Sequence, residues 1–165
     1  MDINDNVYDA LKILIKISKN AQDDAQAREF YGSPLAWVKE YCTIRACTAR
    51  RGGHTEAIFK LMEDNGMHLG CVFNSYSMKE MFESELKRRK IEKGKLEFCT
   101  SIHSIDRNSF AGKLFPQLDA LIVDNSFLYS KKDEDSIFQL ACHLAHPEFR
   151  IYGNHNKYFF LIFLQ

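Results

Sequence analysis

Apolar and polar positions along this chain fall into two periods, one helical and one extended. Between residues 5 and 19 the apolar side chains Val7, Leu11, Leu14, Ile15 and Ile17 stand among polar ones, the spacing of an amphipathic helix. The stretch "NAQDDAQAREFYG" after it reads as a polar link. Ser33 followed by Pro34 is a helix start, a capping hydroxyl and then a proline whose missing N–H is not needed in a first turn, and it opens the short helix "PLAWVKEY". "CTIRACT" is a strand of β-branched and small residues that runs into a glycine loop. From Thr55 to Asn65 the period is helical again, with Ile58, Leu61 and Met62 on one stripe and Gly66 where a C-cap glycine belongs. "HLGCVF" reads as a strand, "SMKEMFESELKRRKI" as a helix and "KLEFCT" as a strand, whereas "SIHSIDRNSFAGKLFPQ" fits neither period. "LDALIVD" is an unbroken apolar run ending in Asp124, as in a strand covered on both faces. "DEDSIFQLACHLA" is a helix with acidic residues in its first turn, favourable against the helix dipole. "EFRIYG" and "YFFLIFL" are strands separated by "NHNK", either an antiparallel hairpin or two separate strands.

Strands that alternate with helices predict βαβ units, and so a single three-layer α/β domain with a mainly parallel sheet. Residues 1–32 form a helix and link packed on a core of residues 33–165, with a C-terminal antiparallel strand if the last two strands pair as a hairpin. The length of 165 residues suits one domain with one buried core.

Composition narrows the function classes. Apolar residues are 45% and charged residues 27%, the proportions of an ordinary globular protein. Twenty-two Lys plus Arg balance twenty-two Asp plus Glu, which argues against wrapping nucleic acid by bulk charge and leaves only a local patch. Cys42, Cys47, Cys71, Cys99 and Cys142 form no C-x-x-C pair, so they are expected as reduced thiols in a cytoplasmic protein rather than as a disulfide framework or a zinc ribbon. The N-terminus lacks the pattern of a secretory leader. "YFFLIFL" is far short of the roughly 20 residues of a membrane helix, and no membrane partner is expected.

The chemistry concentrates in "TARRGGHTEAI", residues 48 to 58. A loop that follows a buried strand and opens a helix can turn backbone N–H groups toward an anion, helped by the helix dipole. Gly52 and Gly53 let backbone approach phosphate without a Cβ in the way. Thr55 is placed to offer a hydroxyl to Mg2+, and Asp124, at the end of a strand, to hold that ion through water. A plain glycine turn in an unrelated α/β fold would look the same over the loop alone. The downstream apolar strand ending in an aspartate is what favours the phosphate-binding reading.

"CTARRGGHTEAIFKLM", then "HLGCVFNSYSMKEMFESEL", then "LDALIVDNS", in that order, resembles the first RecA-like core of P-loop NTPases of the phage helicase and terminase type. "SPLAWVKEY" likewise resembles the segment that precedes the Walker A strand in terminase-like ATPases, and the likeness spans about residues 33–155. It implies that Gly53, His54 and Thr55 match the tail of Walker A and that Asp124 matches the Walker B aspartate, with Mg-ATP as the implied cofactor. The chain departs from the family in three places. Thr48 stands where the first glycine is usual. His54 replaces the lysine that reaches the phosphates, and a free imidazole is shorter and mostly uncharged at neutral pH. Asn125 replaces the glutamate that activates water, and an amide takes no proton. Arg50 and Arg51 either turn inward as cationic donors to phosphate or face solvent and pair with acids such as Glu56. The expected function is weak nucleotide or phosphate binding with little or no hydrolysis, in a phage or mobile-element protein. The rivals are a scaffold that binds another protein and a DNA-binding accessory factor.

Three further groups carry alternatives. Lys87, Arg88, Arg89 and Lys90 are either a nucleic-acid patch or cations that stabilise the last turn of their helix. Asn154, with His155 and Asn156 beyond it, lies where relatives of this fold place a polar sensor, and a Gly-Asn pair is also an ordinary turn. Cys142, His143, His146 and His155 do not share the convergent geometry of a zinc site, and no zinc is expected.

Overall fold

A computed structural model describes residues 3–27, 33–47, 53–91, 95–105, 110, 115, 117–145 and 158–165. The chain begins with helix α1 (Ile3–Ala27) and helix α2 (Pro34–Trp37), which continues into a π turn (Val38–Cys42). Then come β1 (Thr43–Ala46), α3 (His54–Glu63), β2 (Leu69–Phe73), α4 (Tyr76–Arg89), β3 (Leu96–Ser101), β4 (Ala120–Val123), α5 (Lys131–Ala145) and β5 (Phe160–Leu164). The strands form one five-stranded sheet in the order β1-β5-β4-β2-β3, and every pairing is parallel.

Alternation along the strands divides the core into two layers. Ile44, Cys71, Ala120, Ile122, Phe160 and Ile162 face the side covered by α1, α3 and α4. Val72, Leu121, Val123, Leu161 and Phe163 face the side covered by the π turn and α5. Both faces are therefore apolar, which is why these strands read as continuous apolar runs rather than as alternating ones. Helices on both sides of one parallel sheet make the three-layer α/β architecture.

Local side-chain and glycine signals cap the helices, α4 opening at Ser75 rather than at Ser77. Ser33 accepts a hydrogen bond from the Ala36 amide at 3.2 Å, and Ser75 caps α4 through the Met78 amide at the same distance. Gly66 has φ 64°, the left-handed conformation that ends the α3 turn. The helix from Pro34 is shorter than "PLAWVKEY" implies. Its second half widens into the π turn, after which the Thr43 hydroxyl donates to the Val38 carbonyl at 2.8 Å.

Three sequence expectations are corrected. No C-terminal antiparallel strand is present among the described residues: β5 lies between β1 and β4 and is parallel to both, because burying it inside the sheet covers both faces of "YFFLIFL". The companion strand "EFRIYG" lies outside the described residues. The polar link is helical as far as Ala27, since the buried stripe of α1 runs Val7, Leu11, Ile15, Ser18, Gln22, Ala25, and its later members are polar or small. Gln22 is 1% exposed and donates to the Phe159 carbonyl at 2.9 Å, while Tyr158 donates to Asp23. Ile17 does not belong to this stripe. It lies on the opposite side of the helix and is 58% exposed.

Candidate functional site

Two connections leave the carboxyl edge of the sheet toward opposite faces. The chain after β1 enters α3 on one side, and the chain after β4 enters α5 on the other. Such a reversal opens a crevice beyond the strand ends, the place where open α/β sheets bind ligands. Gly53 caps α3 with φ 77°, and its carbonyl accepts the first helical bond from Ala57 at 2.9 Å. A side chain at position 53 would strain that left-handed turn, so the glycine is a conformational requirement there. His54 is thus the first residue of α3, with its ring at the crevice.

The ring meets the strand-end carboxylate. His54 Nδ1 donates to Asp124 Oδ1 at 3.0 Å, with the two side chains 15% and 5% exposed. Neighbouring strands stand about 5 Å apart, and β5 separates β1 from β4, so α3 must start well across the edge for this contact to form. The second oxygen, Asp124 Oδ2, accepts from Asn125 Nδ2 at 2.9 Å. Asn125 has φ 52°, a left-handed conformation that asparagine tolerates better than most residues. The backbone of Asp124 is fixed as well: its amide donates to Val72 at 3.0 Å, and its carbonyl accepts from the Tyr129 hydroxyl at 2.9 Å. Burial, together with the nearby Asp124 charge, pushes the Tyr129 phenol up from its ordinary range.

These contacts decide what the cluster can do. Magnesium at a Walker-type site needs an aspartate with an oxygen turned to the ion's water shell. Here one oxygen accepts from an imidazole and the other from an amide, so the water shell of a magnesium ion would compete with both for Asp124. Thr55 is exposed on the first turn of α3. Asn125 serves as a donor to Asp124 rather than as a base. Glu56 is drawn away from the crevice, since both its oxygens accept from Arg89, at 3.1 and 2.6 Å.

Thr48, Arg50, Arg51, Gly52, Asn154, His155, Asn156 and His146 lie outside the described residues. The basic run at the end of α4 is partly neutralised: Arg88 is bonded to Glu85, and Arg89 bridges Glu85 and Glu56 and lies over the Phe59 ring. Lys87 and Lys90 are exposed. Cys142 and His143 sit on α5, and no group of three metal-ligating side chains occurs among the described residues. Cys71 and Cys99 are register partners on β2 and β3, with thiols pushed up by burial, Cys99 to about 12. No helix among the described residues is long and apolar enough to cross a membrane.

Sequence reasoning missed several residues at this edge. Tyr129 supports Asp124, the Ser126 hydroxyl donates to the Leu164 carbonyl at 3.3 Å, and Cys47 donates to Gln165 Oε1 at 3.1 Å across the ends of β1 and β5. No motif announces them: the partners of Ser126 and Cys47 come from the end of β5, and Tyr129 reaches a backbone carbonyl, which leaves no mark in the sequence. No protein-family model matches the chain, and neither does any curated protein or solved structure.

Proposed function

We propose that this chain is a degenerate P-loop-type α/β domain, of the RecA-like helicase and terminase kind, that holds nucleotide phosphate weakly at its carboxyl-edge crevice without Mg2+ and without hydrolysis. The observation that carries the reading is the His54 to Asp124 contact, which brings the two Walker-like segments together in space and engages an oxygen of Asp124, the other being bonded to Asn125. What remains for an anion is the glycine-capped start of α3, where backbone N–H groups and the helix dipole favour negative charge. Neither Asn125 nor the engaged Asp124 is placed to take a proton from water.

Thermal unfolding with ATP or pyrophosphate, in Mg2+ and in EDTA, tests this on the native protein and on His54→Lys. A ligand that binds only the folded state at 100 times its Kd stabilises it by about 2.7 kcal/mol. The native protein is expected to show a small rise in Tm that Mg2+ does not change, and the lysine variant a larger one that Mg2+ increases. Steady ATP turnover by the native protein, abolished in Asp124→Ala, would overturn the reading.

One observation favours the scaffold reading: Ile13 and Ile17, one turn apart on α1, are 61% and 58% exposed, an apolar face of the kind that meets another protein. The accessory DNA-binding reading is weakened because Arg88 and Arg89 are both held by acids.

A further inference from the structure

A second opening lies at the other end of the sheet. A cleft of about 900 Å³ lies at the amino edge, between α1 and the turns that lead into β2, β4 and β5. That volume falls within the range of pockets that take small molecules. Lys12, Lys16 and Lys19 line one wall, on one face of α1 with their Cα atoms about 6 and about 4.5 Å apart along the helix axis. The opposite wall includes Asp64, His68 and Asp119.

The charges on the two walls are not equivalent. Asp119 accepts the His68 amide at 2.8 Å, and the His68 ring is bonded to Glu97 at 3.0 Å. The Tyr8 hydroxyl donates to Asn65 Oδ1 at 3.3 Å. Asp119 and Glu97 are thus engaged within the protein. Of the cations, Lys12 pairs with Asp9 at an exposed position, Lys19 lies over the Tyr158 ring, and Lys16 makes no ion pair or ring contact among the described residues. An ammonium offers three donors, and neighbouring ammonium groups at a concave surface raise the local concentration of anions.

We propose that this amino-edge cleft binds a small soluble ligand carrying two or more phosphate groups, bridged by Lys12, Lys16 and Lys19. The lysines span about 10 Å of helix, room for two or three linked phosphates and too short a track for a long strand of nucleic acid. The site is separate from the His54 crevice, since the turns before β2 and β4 and the residues after β1 and β4 lie at opposite ends of a parallel sheet.

Isothermal titration of the full chain with inorganic tripolyphosphate at low salt tests it, using Lys16→Gln, the triple variant Lys12→Gln, Lys16→Gln, Lys19→Gln, and His54→Ala. Glutamine keeps helix propensity at these exposed positions, so the variants fold, which circular dichroism checks. Native protein and His54→Ala are expected to bind alike. Lys16→Gln is expected to bind about tenfold more weakly, the size of one charge-assisted bond, and the triple variant to keep only the weak binding proposed for the start of α3. Binding unchanged in the triple variant, binding lost in His54→Ala, or no binding at low salt overturns the proposal. So does binding of a short single-stranded oligonucleotide with none of tripolyphosphate, which would make the lysines a strand-tracking surface.

Discussion

The two ends of the sheet are built on opposite terms. At the carboxyl edge, where the motifs lie, the buried polar groups satisfy one another: both oxygens of Asp124 and its backbone are bonded, and His54 is tied to it. At the amino edge, where no motif pointed, Asp119 is bonded to the His68 amide and the lysines of α1 line an open cleft. In the segment that resembles a phosphate loop, the histidine is engaged by the strand-end aspartate. A histidine in place of lysine is short enough to pair with the strand-end aspartate instead of projecting into the crevice. The contrast also separates two kinds of polar residue, those that hold the fold and those left for a ligand.

The sharpest break in that contrast is Asp124→Ala. It leaves the His54 ring and the Asn125 amide without their partner at a nearly buried position, and it is expected to lower unfolding stability by about 3 kcal/mol, read from urea denaturation. A loss no larger than that of an exposed surface substitution would mean that the carboxyl edge is open after all. Gln22→Ala tests the amino edge in the same way. It removes the bonds to the Phe159 carbonyl and to Ser18, with an expected cost of about 2 kcal/mol. If Gln22→Ala proved neutral, the helical extension of α1 would rest on something other than this anchor.

What could be read in the sequence follows from the same division. β2, β4 and β5 were legible because burial on both faces leaves apolar runs, and α3 and α5 because their buried stripes are apolar throughout. The second half of α1 was not, since its inward stripe passes through Ser18 and Gln22, whose bonds to Tyr41 and Phe159 come from distant segments. The site divides likewise. His54 and Asp124 were each legible as candidates from a local motif. Their contact joins residues 70 positions apart, which neither local motif announces. The amino-edge cleft was invisible, because its walls come from one helix and several turns that share no local pattern.

Between the two edges lies the network of Glu56, Glu85, Arg88 and Arg89, and it gives the smallest effect. The Arg88 and Arg89 guanidiniums hold the Glu85 carboxyl at about 2, below its ordinary 4.5. A carboxyl depressed in the folded state adds stability that is full above its unfolded value and is lost as pH falls from about 4.5 toward 2. Glu85 is solvent-facing, so water and salt screen the pair and the contribution is small. Glu85→Gln is therefore expected to flatten the fall in Tm over that acid range while leaving Tm near pH 7 almost unchanged, and 0.5 M salt added to the native protein is expected to act in the same direction. Equal acid sensitivity in native protein and variant would mean that the pairs of Glu85 with Arg88 and Arg89 add no measurable stability.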